Sequence, residues 1–284
     1  MSDANANNDD VVLIDDVDRA RVITFNRPDA ANAFNEILYH AVADALRAAA
    51  ADDSVGAVVL TGAGRIYCAG TDLREMAAQV PSDGPTPADE GTRPAATGFT
   101  ALLEVLQAFP KPLLAAVNGA AVGLGLTMLA HCDIVLVSEK ARLLAPFTTM
   151  GVAPEAASSY LLPRRMGRQH ASVALLASEW ISAEEAVAHG LAIRVCTPET
   201  LVAETLELAT RIASKSLPSL LATKRLVLDA EREGILRARR LENEAFAELL
   251  ALPQMRESVL GQLDHDDAAG DSSGDSPGDA PEAP

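Results

Sequence analysis

Apolar and polar positions follow two regimes along the chain. Up to about residue 165, short apolar runs alternate with helical periodicity. "VVLID" (11–15) and "ARVITFN" (20–26) read as strands joined by a hairpin turn at "DVD". "EILYHAVADALRAAAAD" (36–52) carries apolar residues at helical spacing. "VGAVVLTG" (55–62), "PLLAAVNG" (112–119) and "CDIVLVS" (132–138) are continuous apolar runs, as in strands covered on both faces. Helices are expected over 72–79, 99–109 and 122–131. Beyond 165 the period is helical almost throughout, over 170–178, 182–190, 199–216, 218–230 and 235–250. This order predicts an α/β core with buried parallel strands, followed by a helical C-terminal region. We set the core at 11–195 and the helical region at 196–262. "SAEEAVAHG" (182–190) also predicts its own ends. Ser182 and Glu185 form a capping box, and Gly190 terminates the helix.

Composition adjusts this picture in two places. Of the 284 residues 49% are hydrophobic but only 4% aromatic, which favours helices packed on buried strands. The net charge of −17 is concentrated at the ends. Residues 1–18 hold six acids and no base, and residues 262–284 hold seven and no base. Residues 1–10 and 263–284 are therefore expected to be disordered acidic tails. The rest is nearly balanced, and without a basic cluster no nucleic-acid partner is expected. A Pro-, Gly- and Asp-rich stretch, 79–98, reads as a long mobile loop of the kind that covers functional sites. The three cysteines, Cys68, Cys132 and Cys196, are odd in number and widely spaced. No disulfide set or metal framework is readable, and a reducing, cytoplasmic setting is expected. The start is acidic and polar, unlike a signal peptide, and no apolar run is long enough for a membrane span.

Two glycine-containing turns follow buried strands: "GAGRIYCAGTDL" (62–73) and "NGAAVGLGLTM" (118–128). Each can place free backbone N–H groups at a strand end. Converging, they would form an oxyanion hole; separately, they are ordinary strand–helix geometry. Neither matches a phosphate-binding P-loop or a dinucleotide fingerprint. A third stretch, "GVAPEAASSY" (151–160), holds one charged side chain, Glu155, among small and apolar neighbours. Its carboxylate could cap a helix, hold a salt bridge or move a proton.

Taken in order, "ITFNRPDAANAFN" (23–35), "VVLTGAGRIYCAGTDLREM" (58–76), "KPLLAAVNGAAVGLGLTMLAHCDIVLVSEKARL" (111–143) and "SAEEAVAHGLAIRV" (182–195) resemble the enoyl-CoA hydratase/isomerase family, the crotonase superfamily. The resemblance covers about residues 11–262. It implies the crotonase (ClpP/crotonase-like) α/β fold of repeated ββα units, with a helical C-terminal region that builds a homotrimer or a dimer of trimers. It implies an acyl-CoA thioester substrate, with coenzyme A part of the substrate and no other cofactor and no metal. The thioester oxygen would be held by the backbone N–H groups of Thr71 and Leu124. Ala69, Gly70, Asp72 and Leu73 would line the CoA site, and Ala31 and Ala33 would lie near the nucleotide end. Arg27 would meet a CoA phosphate or serve the structure.

Hydratases of the family use two glutamates, and this chain has Thr127 and Phe147 at the matching positions. The stretch "APFTTMGVAPEAASSYLLPRRMG" (145–167) resembles instead the Δ3,Δ2-enoyl-CoA isomerase branch, where the glutamate after proline is the single catalytic base. The expected activity is therefore isomerisation of a 3-enoyl-CoA to a 2-trans-enoyl-CoA with Glu155 as acid and base. Alternatives are hydratase-type lyase chemistry, dehalogenation or hydrolysis with Glu155 as nucleophile, and non-catalytic acyl-CoA binding. His131 is expected to be a structural, hydrogen-bonded histidine.

Overall fold

A computed structural model describes residues 11–72, 97–250 and 252. The expected tails, Leu73, most of the 72–79 helix and residues 79–96 of the predicted loop lie outside them. The main sheet has six strands: β1 (Val12–Val17), β2 (Ala20–Phe25), β3 (Ala57–Gly62), β4 (Leu113–Val117), β6 (Ile134–Ser138) and β9 (Arg194–Cys196), side by side in that order. Only β1 is antiparallel; it pairs with β2 through the expected hairpin. The other neighbours are parallel. A small second sheet joins β5 (Ala121–Val122), β7 (Arg142–Leu144) and β8 (Ile181–Ser182).

Strand alternation explains why the central runs are apolar throughout. Val58, Leu60, Leu113, Ala115, Val135 and Val137 face the larger core, which includes α1 (Glu36–Ala51) and α2 (Gly98–Leu106). Val59, Leu114, Ala116 and Leu136, on the opposite face, pack under α7 (Leu201–Ala213). Between α2 and α7 lie α3 (Leu124–Thr127), α4 (Phe147–Met150), α5 (Ser158–Ser172) and α6 (Ala183–Ala188). Ser182 and Glu185 form the expected capping box at the start of α6.

Three features depart from the periodicity. Residues 194–196, between the segments 182–190 and 199–216 read as helical, are the edge strand β9, so the boundary set at 195 falls within that strand. The small sheet was not legible, because strands of two or three residues carry no period. The segments 218–230 and 235–250 are one helix, α8 (Leu217–Leu250). Gly234 does not break it. A Cβ there would lie 2.2 Å from the Tyr160 ring, so glycine lets α5 and α8 meet closely. Lys224 on α8 also donates to Asp133 at 2.6 Å, tying the helix to the main sheet. Among the described residues no helix is long and apolar enough to cross a membrane.

Candidate active site

Two backbone segments run side by side at the end of the main sheet. Residues 68–72 lie between residues 31–34 and residues 120–124. On one side Phe34 N–H donates to Gly70 C=O, Asp72 N–H to Phe34 C=O and Ala69 N–H to Ala31 C=O. On the other, Cys68 N–H donates to Ala120 C=O and Val122 N–H to Cys68 C=O. The glycines permit this contact. A Cβ on Gly125 would lie 2.5 Å from the Cys68 carbonyl oxygen. Gly70 and Gly123 both have positive φ, and a Cβ on Gly70 would come within 3.0 Å of the Val122 carbonyl oxygen. The residues that follow these two glycines are Thr71 and Leu124. Neither amide donates to an acceptor among the described residues. Both residues line one cavity of about 390 Å³.

The other sequence-selected residues fall around these segments. Ala69 and Gly70 line the cavity, whereas Ala31 supports it from behind by accepting the Ala69 N–H. Arg27 donates to the Ala33 carbonyl and pairs with Asp72 at 3.3 Å, closing the 27–33 turn. Asn32, which the sequence did not single out, is fully buried at the centre of this turn. It accepts the Arg27 N–H and donates to the carbonyls of Ala63 and Ile66. It thereby locks the turn to the strand end that leads into Thr71.

Glu155 faces the same cavity from the opposite wall, together with Phe147, Met150, Val152 and Phe246. Its Oε1 accepts a 2.6 Å hydrogen bond from the Thr127 hydroxyl. Its Oε2 is buried and has no hydrogen-bond partner among the described residues. Thr127 is fully buried. So one oxygen is pinned and the other is available. Burial pushes the Glu155 carboxyl up to about 7; the Thr127 hydrogen bond opposes the shift and the nearby Glu242 charge adds to it. A carboxyl with that affinity for protons can both take and return one near neutral pH.

The turn carrying Glu155 is unusual. Ala156 and Ala157 both adopt left-handed φ, 59° and 58°. For residues with a Cβ this costs about 1–2 kcal/mol each. The turn is held from two sides. His131 meets the Ala156 carbonyl at 2.8 Å through Nε2, which must be the protonated nitrogen, since a carbonyl only accepts. Burial lowers the His131 pKa to about 4, so the ring is neutral. Glu242 on α8 accepts the N–H groups of Ala157 and Ser159. His131 is thus the hydrogen-bonded structural residue expected. Glu242, Asn243 and Phe246 reach the cavity wall from α8 with no local motif to announce them. Tyr39 also lines the cavity, its hydroxyl 2.8 Å from the Thr71 hydroxyl.

Proteins similar to this chain bear on what such a cavity does. A model of enoyl-CoA hydratase/isomerase matches residues 19–268. The chain belongs to the enoyl-CoA hydratase/isomerase family. It is 35% identical over 241 residues to 2,3-dehydroadipyl-CoA hydratase of Escherichia coli, covering 85% of this chain and 91% of that protein. It is 34% identical over 226 residues to human enoyl-CoA delta isomerase 2, covering 80% of this chain and 56% of that longer protein. Among solved structures, an enoyl-CoA hydratase/isomerase from Pseudoalteromonas atlantica superposes with a TM-score of 0.81 at 36% identity, over 90% of this chain and 97% of that one. The fold is the crotonase fold, and the chain is an enzyme of this family. The relatives carry out different reactions, so the choice among them rests on the side chains.

Proposed function

We propose that this enzyme is a Δ3,Δ2-enoyl-CoA isomerase. The observation that carries the reading is the pairing of Glu155 with Thr127. The two positions where hydratases of the family place glutamates hold a threonine and a phenylalanine. The threonine spends its hydroxyl on orienting Glu155. Phe147 contributes only an apolar wall. Three carboxyls line the cavity; Glu36 accepts the Gly98 N–H, and Glu155 is the one with a buried oxygen that has no hydrogen-bond partner among the described residues. Glu242 also reaches the cavity wall, but its oxygens are engaged with backbone amides.

One carboxyl suffices for moving a double bond. Oε2 of Glu155 takes a proton from C2 of a 3-enoyl thioester. The electron pair shifts to the thioester oxygen, giving a dienolate that the N–H groups of Thr71 and Leu124 stabilise. Each such donor contributes about 3 kcal/mol. The electrons then return through carbon 4, which takes the proton back from Glu155. Atoms and charge balance without a metal or a second cofactor; coenzyme A enters as part of the substrate. Adding water would need a second group to position and activate it, and the apolar wall discourages it. In this reading the enzyme works as a homotrimer or a dimer of trimers, and its reduced cysteines suit a cytoplasmic setting. Exposed Leu226, Val227, Leu236 and Leu241 on α8 support such an assembly.

The test is direct. Incubation with 3-enoyl-CoAs of several chain lengths should generate the ultraviolet absorbance of a conjugated thioester. Crotonyl-CoA should show no comparable loss of that absorbance through hydration. Fast hydration with no isomerisation would overturn the proposal in favour of a hydratase.

A further inference from the structure

Glu242 lies on the last helix, more than eighty residues from the turn it holds. Its carboxylate reaches the rear of the Glu155 turn, where it makes three hydrogen bonds. Oε2 accepts Ala157 N–H at 2.7 Å, and Oε1 accepts Ser159 N–H at 2.9 Å and the Ser159 hydroxyl at 2.5 Å. Ala157 is one of the two left-handed residues immediately after Glu155. Glu242 is buried, with 5% of its surface exposed.

We propose that Glu242 is the positioning residue of this active site: it holds the Ala156–Ala157 turn from behind, so that the C-terminal helix sets the aim of Glu155. The inference rests on Glu155 being the base, but the clamp itself is a property of the fold. A carboxylate suits the task for two reasons. It accepts from several donors at once, which an amide oxygen cannot match. It also places a second negative charge near Glu155, which makes Glu155 bind its proton more firmly.

Among the described residues, three groups besides Glu242 that interact with Glu155 fit this division of labour, while Glu36, which lines the same cavity, accepts the Gly98 N–H. Thr127 on α3 is a neutral donor. Tyr39 on α1 has its hydroxyl held well above the usual phenol range by burial. Burial pushes the Cys68 thiol up to about 12. Both therefore stay neutral through the range in which Glu155 titrates. Burial raises the Glu242 carboxyl above its ordinary value, and the hydrogen bonds from Ser159 and Ala157 and the Arg239 charge oppose that shift. In its ionised form Glu242 is the neighbour whose charge raises the Glu155 pKa.

The experiment compares the wild-type chain with Glu242→Gln, which keeps the size and one acceptor oxygen. The first readout needs no turnover. The titration of Glu155 is followed by NMR of carboxyl-labelled glutamate, with the signal assigned by its loss in Glu155→Gln. The midpoint should move down in Glu242→Gln. The second readout is kinetic: kcat should fall on the order of 10- to 100-fold, with KM changed less than threefold. A third, on the unaltered protein, is hydrogen exchange of the peptide containing Ala157, which should be slow. An unchanged Glu155 midpoint, an unchanged kcat, or rapid exchange at Ala157 would each overturn the proposal; a lowered melting temperature alone would mark Glu242 as merely structural. If the chain proves not to be an isomerase, the titration and exchange readouts still decide the clamp.

Discussion

The wall carrying Thr71 and Leu124 and the wall carrying Glu155 face one cavity, yet they are built differently. The first is made of backbone. Its donors are main-chain amides delivered by adjacent segments, and its specificity comes from glycines that let those segments touch. The second is made of side chains. Glu155 depends on Thr127 from α3, and its turn depends on His131 and on Glu242 from α8. A backbone wall tolerates change in most side chains but not in its few close approaches. A side-chain wall can be retuned one residue at a time, as the family's range of reactions from one fold requires.

The largest effect that separates the two walls is loss of the base itself. Glu155→Gln should lower isomerase kcat by about 10²–10⁴-fold, the usual contribution of a general base. Acyl-CoA binding measured by calorimetry should stay within a few-fold, because the amide wall is intact. The same variant should be more stable than wild type, and the gain should depend on pH. The Glu155 pKa is raised to about 7 from an ordinary 4.5. Ionisation is therefore easier in the unfolded chain, and the wild type loses stability as pH rises from about 4.5 through 7. Melting curves at pH 5 and pH 8 should show the variant's advantage growing at pH 8. An equal difference at both would mean that Glu155 is not buried as a proton-holding acid.

Next in size is an attack on the backbone wall. Gly125→Ala forces a methyl group to within 2.5 Å of the Cys68 carbonyl oxygen, so the two segments must separate. Turnover should fall about 10²–10³-fold, the cost of losing a well-placed oxyanion donor. Glu155 should still titrate near 7. Retention of activity would show that the close approach does not set the positions of the Thr71 and Leu124 amides.

The same contrast explains what the sequence could and could not reveal. The parallel core strands, the hairpin, α1 and the Ser182 capping box follow from local periodicity and local chemistry. The glycine turns were visible because a close backbone approach leaves glycine no substitute. Glu155 stood out as a lone charge in an apolar stretch. Its setting did not. Thr127 was singled out as a pocket position by the resemblance, not as a partner of Glu155, and Glu242 sits among the many charged residues of a long helix. Neither carries a local signature of a contact 28 or 85 residues away. The edge strand β9 was lost for a related reason. Three residues beside a helical pattern have no period of their own, and only pairing with β6 makes them a strand. Asn32 was missed because its role is a buried knot between two turns, each ordinary alone.

The smallest predicted effect is the most discriminating, because it sets two neighbours of one carboxyl against each other. Thr127→Val keeps the shape of the side chain and removes the hydroxyl. The lost hydrogen bond was lowering the Glu155 pKa, so that pKa should rise above about 7. Only the ionised form is a base. The rising limb of the pH–rate profile should therefore move to higher pH, and activity at pH 7 should fall about tenfold. At pH 9 most of the loss should be recovered, leaving only what orientation contributes. Removal of the Glu242 charge moves the same limb to lower pH, because a repulsive neighbour is gone. A hydroxyl on one side and a carboxylate on the other thus hold Glu155 near neutrality by opposing pushes. If both variants moved the limb in the same direction, the two residues would not be acting on a common proton, and the side-chain wall would have to be explained by packing alone.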